Sequence, residues 1–318
     1  MLGYIIIALF CLISLLVYLE KYIGKYKLAI YIAVGIILIL LAGTREVGID
    51  PDSENYEKMY HNLNSDKMMD AVEYSYILFS QILQYISNDV HAIFLFYALL
   101  GLSFKFIAFR ELSEFWFLPV LLYISYFYEL HEAMEIRTGV LSGLFLLSIK
   151  PICEGRRLYA FILLAIGVFF HYSEFVLFPL LFLSNKSMSV VQRIIWASVI
   201  PLGYLFYFVG FSAIMSFSTE IPYIGNKLAL YQAGTEKGIL QASVNVFSPL
   251  YLFTITLFYY LLFFYETIIQ FNKYFPLLIK IFALSLCAYT SLAILPVLAQ
   301  RISLLLQIVN IILYTNIC

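Results

Sequence analysis

About eleven apolar stretches, each nearly free of charge, follow one another along this 318-residue chain. They fall at about 2–19, 28–43, 90–109, 115–130, 138–149, 158–171, 174–184, 191–211, 247–265, 276–298 and 302–317. Roughly 20 apolar residues in a helix cross a hydrocarbon layer, and several of these runs reach or approach that length. Hydrophobic residues make up 63% of the chain, charged residues 12%, and the mean hydropathy is +0.91. A soluble domain has no core able to hide so much apolar surface. The solvent for most of the chain is therefore lipid. A membrane barrel would show alternating strands of about ten residues, whereas these runs are continuous and rich in Leu, Ile and Phe. Helices satisfy their own backbone in lipid, so the sequence predicts an all-α, polytopic integral membrane protein of about ten or eleven crossings.

Segment 73–87 is apolar at Tyr76, Ile77, Phe79, Ile82, Leu83 and Ile86, one helical stripe, which predicts a helix lying along the interface. No linker or internal repeat divides the chain, so a single membrane domain over 1–318 is expected, with large loops at about 44–72 and 212–246. The net charge of −1 leaves no basic surplus for a nucleic-acid partner. Cys11, Cys153, Cys287 and Cys318 stand singly, with neither the spacing of a metal site nor a disulfide framework. Residues 2–19 lack a basic leader and a small-residue cleavage site, and are expected to be the first span.

Lys and Arg in short loops stay in the cytoplasm, which orients the chain. Lys21, Lys25, Lys27, Lys105, Arg110, Lys150, Arg156, Arg157, Lys186, Arg193 and Lys273 all fall on one side if 73–87 does not cross. The loop 44–72, the connection 131–137, the break at 171–173, the loop 212–246 and Arg301 then share the other, outer side.

Four polar islands sit on that expected outer face. Arg45-Glu46-Val47-Gly48-Ile49-Asp50-Pro51 follows the second span, with Gly48 and Pro51 predicting a turn that brings Asp50 back toward the membrane. Arg45 offers a planar, permanently charged fork for phosphate oxygens, or else snorkels above a solvated acidic loop. In His131-Glu132-Ala133-Met134-Glu135-Ile136-Arg137, helical spacing would put His131 and Glu135 on one face. That island is either functional or a polar turn in which Arg137 pairs with Glu132 or Glu135. No metal is expected there, because an HExxE pair needs further ligands that the sequence does not mark. His171, between Phe170 and Tyr172, exchanges protons near neutral pH, as a general base must, or is a satisfied helix-end histidine. Gln300-Arg301 separates two apolar runs, as an anion ligand or as a helix-end anchor. Arginines, a histidine and carboxylates on one face suit a lipid-linked diphosphate together with a group that must lose a proton.

The Arg45, Val47-Gly48-x-Asp50 and Tyr56 loop, the Glu73-Tyr74 helix start, Ile136-Arg137 before a small-residue span, Phe170-His171-x-Ser173 and the late Arg301 together resemble the EpsG/Wzy-type polysaccharide polymerases. The likeness runs from the first span to Arg301. The loop departs from the commoner Gly-Thr-Asp-aromatic pattern, and Thr138 stands where Gln is usual. The resemblance implies a membrane glycosyltransferase of GT-C-like architecture in a bacterial cytoplasmic (inner) membrane, working on its outer face. Its substrate would be an oligosaccharide carried on undecaprenyl diphosphate, and a surface polysaccharide such as O-antigen, capsule or exopolysaccharide would be the product. Membrane lipid and a chain-length regulator are the further partners, no cofactor is needed, and a final helix seen in relatives is expected to be missing from this sequence.

On that reading Arg45, Arg137 and Arg301 are candidates to grip the diphosphate. His171 is the first candidate base, with Asp50 or Glu135 as second base or orienting group, and Tyr56 is a candidate to stack on sugar. Two other functions fit the same residues. One is a flippase or transporter of the lipid-linked glycan; the other is an O-antigen ligase-type transferase.

Overall fold

The computed structural model describes residues 2–63, 73–220, 244–293 and 295–317. Parts of the two expected loops, 64–72 and 221–243, lie outside the described residues, as do Met1, Ile294 and Cys318. Every regular element among the described residues is helical. The chain divides into two compact units, 1–183 with 314–318, and 184–313.

The first unit begins with α1 (Leu2–Leu19) and α2 (Lys27–Gly43), followed by two short helices, α3 (Ser53–His61) and α4 (Tyr74–Gln84). After these come α5 (His91–Leu112), α6 (Phe117–Tyr126), a π-turn (Leu130–Met134), α7 (Ile136–Cys153), α8 (Arg157–Phe170) and a 3₁₀ segment (Tyr172–Phe182). The centre of this unit is α7, packed between α5 and α8, while α2 lies against α5 and α1 against α6. Small residues make the α5–α7 approach close, as they do wherever helices pack in lipid. A Cβ on Gly139 would fall 2.3 Å from the His131 carbonyl oxygen, so no other residue fits there without moving backbone.

The second unit holds α9 (Val190–Glu220), α10 (Pro249–Phe263), α11 (Tyr265–Ile268), α12 (Phe275–Ser291), α13 (Pro296–Gln307) and most of α14 (Asn310–Tyr314). Within it α12 packs against both α9 and α13.

Among the described residues, four helical stretches are long and apolar enough to cross a membrane: Gly24–Gly43, His91–Leu112, Ile136–Cys153 and Val190–Val209. This is a polytopic helical membrane protein. Beside these stand shorter apolar helices over Ile5–Leu19, Phe117–Tyr126, Arg157–Phe170, Pro249–Phe263 and Phe275–Ser291, each on a run the sequence marks as apolar. In the run at 115–130 the α-helix over Phe117–Tyr126 is followed, after a turn at Phe127, by the start of the π-turn, and 174–182 belongs to the 3₁₀ segment. The loop 44–72 contains α3, and the loop expected from 212 begins later, since α9 continues to Glu220. The break expected at Gln300-Arg301 falls instead before Pro296, which opens α13 as its first residue, a position where its missing N–H costs nothing. Helix α4 forms where predicted, but it buries Ser75, Tyr76, Ile77 and Ser80 and turns Ile82 and Ile86 outward.

Lys105, counted from the sequence among loop charges, is wholly buried within α5. Its partner lies in another segment, which charge counting along the chain does not reveal.

Candidate functional site

The Arg45 island folds as the turn its glycine predicts. Gly48 has φ +89°, a conformation glycine adopts without strain, and its N–H donates to Ser53 Oγ at 2.8 Å. The turn returns Asp50 to Arg45. Asp50 Oδ1 accepts the Asp52 and Ser53 N–H groups at 3.0 and 2.9 Å, and Oδ2 accepts Arg45 Nε at 3.0 Å. The two side chains are only 2% and 3% exposed, so Arg45 does not snorkel and the loop is not simply solvated. Its other nitrogens donate to the carbonyls of Ala42 (2.7 Å) and Ala133 (2.8 Å), and the guanidinium lies 3.9 Å over the Phe94 ring. With each nitrogen engaged, Arg45 ties the end of α2 to the chain segment that leads into α7.

His91, not singled out in the sequence, donates from Nε2 to the Arg45 carbonyl at 2.9 Å and faces Asp89 with Nδ1. Hydrogen bonds from the His91 backbone and ring hold the Asp89 carboxyl below its ordinary range.

The second island is a π-turn rather than an α-helix, and Glu135 lies just past it, so the α-helical spacing assumed for His131 and Glu135 does not apply. In the π-turn His131 and Glu132 point inward and are buried, while Glu135 remains half-buried. Nor does Arg137 pair with Glu132, which binds Lys105 instead. Arg137 is the second residue of α7, whose first turn holds no acidic side chain. A cation there opposes the helix dipole at a cost of about 0.3–1 kcal/mol, so its compensation comes from outside the helix.

That compensation is Glu73. Its carboxylate stands at the start of α4 but does not cap that helix. One oxygen forms an ion pair with Arg137 and the other stands 3.3 Å from His171 Nε2. His171 ends α8, its N–H closing the helix on the Gly167 carbonyl at 3.0 Å, and its side chain is 16% exposed. Arg137 also sits 5.8 Å over the Tyr56 ring, with its Nε buried and unpartnered among the described residues. Burial pushes the Tyr56 phenol above its ordinary range, despite the opposing pull of Arg137. Glu135 acts on the same phenol through its charge.

Against this group lies an aromatic cluster of Tyr56, Tyr76, Phe94, Tyr97 and Phe170, a floor buried together with Ile136 and Val140. Tyr76 donates from its hydroxyl to the Tyr56 carbonyl at 2.7 Å, and Tyr97 from its hydroxyl to Ser75 Oγ at 3.2 Å. The floor joins α3, α4, α5, α7 and α8.

The structure thus brings Arg137 and His171 together on Glu73, with Tyr56 facing Arg137, Glu135 half-buried just before α7, and Arg45–Asp50 bracing the turn before that helix. Arg301 belongs to the second unit, midway along α13 with its side chain exposed. Glu73 is the site member that the residue types did not mark. Its only signal was its place in the Glu73-Tyr74 pair of the resemblance.

The site is thus a guanidinium with spare hydrogen-bonding capacity, an imidazole and a carboxylate shared between them, on the scaffold of a polytopic helical membrane protein. The model of the EpsG family matches residues 28–318, and the chain belongs to that family. It is therefore a polysaccharide-polymerase-type membrane protein with a glycosyltransferase-like activity. No curated protein and no solved structure matches the chain.

Proposed function

We propose that this protein joins repeat units of a bacterial surface polysaccharide at the outer face of the cytoplasmic membrane. The growing glycan leaves its undecaprenyl diphosphate carrier and passes to a sugar hydroxyl of the next lipid-linked unit. The acceptor oxygen attacks the anomeric carbon, the bond from that carbon to the diphosphate oxygen breaks, and the diphosphate departs on its lipid. Arg137 neutralises the departing charge, aided by the amino-terminal end of α7, where backbone N–H groups also favour an anion. His171 takes the hydroxyl proton. Glu73 orients the imidazole and supplies the counter-charge when it becomes imidazolium. Tyr56, kept as the neutral phenol, donates a hydrogen bond to substrate oxygens or packs against a sugar ring. Arg45 and Asp50 hold the scaffold rather than grip the ligand, since their hydrogen-bonding groups are already used.

The observation that carries this reading is the Glu73 carboxylate shared by Arg137 and His171, an anion-binding group and a proton acceptor from separate helices set side by side. The deciding experiment is a gel profile of surface glycan from cells that express the Arg137→Ala or His171→Ala variant in place of the parent. Single repeat units on their acceptor, with long chains absent, are expected. A near-complete loss of surface glycan would point instead to transport. Long chains persisting with Arg45, Arg137 and His171 all replaced would end the enzymatic reading.

A further inference from the structure

The most deeply buried charges of the first unit take no part in the chemistry just described. The side chains of Lys105 and Glu132 are 0% and 1% exposed. Lys105 Nζ donates to Glu132 Oε1 at 2.7 Å and to the Gly139 carbonyl at 2.6 Å, and the Tyr123 hydroxyl donates to the same Glu132 oxygen at 2.6 Å. One group thereby joins α5, α6, the π-turn and α7.

Apolar side chains of similar volume usually hold such a place at least as well as a buried ion pair, because desolvating two charges is costly. Stability alone therefore does not account for this pair. Hydrogen bonds contribute direction, whereas apolar packing contributes mainly volume. The direction fixed here is that of the π-turn, an uncommon backbone form that concentrates at functional positions. Three consecutive residues of the turn are tied. The His131 carbonyl is pressed against Gly139, and its ring Nδ1 lies 3.3 Å from Ser142 Oγ. Glu132 is held by Lys105 and Tyr123, and the Ala133 carbonyl by Arg45. Arg137 begins α7 a few residues later.

We propose that the buried Lys105–Glu132 pair is a positioning device, which locks the π-turn so that α7 starts with Arg137 facing Glu73. Its consequence for activity rests on the reading of Arg137 as the anion grip; its geometric content does not. Lys105 and Glu132 are positioning residues that touch no substrate.

The geometric test uses full-length protein in membranes, with Cys11, Cys153, Cys287 and Cys318 replaced by Ser and with Glu73→Cys and Arg137→Cys introduced. Oxidative crosslinking of this pair is timed with and without Lys105→Met/Glu132→Leu. The apolar pair should accumulate and melt like the parent while crosslinking slows several-fold. In the chain that keeps Glu73 and Arg137, the same double replacement should shorten the surface glycan as Arg137→Ala does. Tyr123→Phe, which removes a single hydrogen bond to Glu132, is the milder variant if the double replacement fails to accumulate, and should slow crosslinking to a smaller extent. Crosslinking at the parental rate in the accumulated variant overturns the proposal. If Arg137→Ala itself leaves long chains, the polymerase reading fails, and the crosslinking rate still decides the positioning role.

Discussion

The carboxylate of Glu73 is divided between two helices: one oxygen meets the Arg137 guanidinium at the start of α7, and the other stands 3.3 Å from the His171 imidazole at the end of α8. A single acidic side chain thus sets the distance between the Arg137 guanidinium and the His171 imidazole. It also neutralises the arginine's charge.

Glu73→Gln keeps the shape of that side chain and removes its charge. The rate of glycan elongation in isolated membranes should fall by about 10²-fold or more, the usual scale for disabling a general base, with little change in the amount of protein. An elongation rate like that of the parent would remove Glu73 from the site.

Arg137→Lys retains a cation but loses the planar fork that engages two oxygens together. We expect the KM for the lipid-linked donor to rise by about tenfold, or about 1.4 kcal/mol of binding. Unchanged KM with this variant would mean that Arg137 acts only as a local point charge.

Asp50→Ala leaves the buried Arg45 without its carboxylate and two backbone N–H groups without their acceptor. Breaking a buried pair in this way costs about 3–5 kcal/mol. The variant should accumulate poorly and melt at a lower temperature in detergent, whereas Arg45→Met/Asp50→Leu should recover much of that loss. A parental melting curve for Asp50→Ala would show that the pair does not brace the turn.

Tyr56 supplies a pH prediction whose sign follows from burial. Its phenol is raised above the ordinary tyrosine value of 10.0, so the neutral form persists at least to that pH. Tyr56→Phe should lower activity by a factor that stays constant as pH rises toward about 10. A variant that closes the gap with the parent between pH 8 and 10 would show that Tyr56 ionises within the working range.

The outline of this site was legible where the signal is local. Gly48 and Pro51 announced a turn that carries Asp50 back toward the membrane, and a turn at Gly48 is present, although its pairing of Asp50 with Arg45 was not announced. His171 was placed at a helix end, and it ends α8. The α-helical spacing assumed for His131 and Glu135 did not apply, because the backbone follows a π-turn that ends before Glu135, and charge counting failed at Lys105, because its neutralising partner lies on another segment. Arg301 was expected to interrupt a pair of spans, but Pro296 starts the helix earlier and Arg301 falls within it.

The sequence by itself determined the solvent and the secondary structure. Hydropathy and backbone satisfaction are summed over neighbouring residues, so long uncharged runs in lipid have no alternative to helix. Tertiary structure alone decided which charges neutralise one another: Arg137 with Glu73, Glu132 with Lys105, Asp50 with Arg45. The strength of an ion pair depends on separation in space and on local burial, and both are set by how α5, α7 and α8 pack rather than by order along the chain.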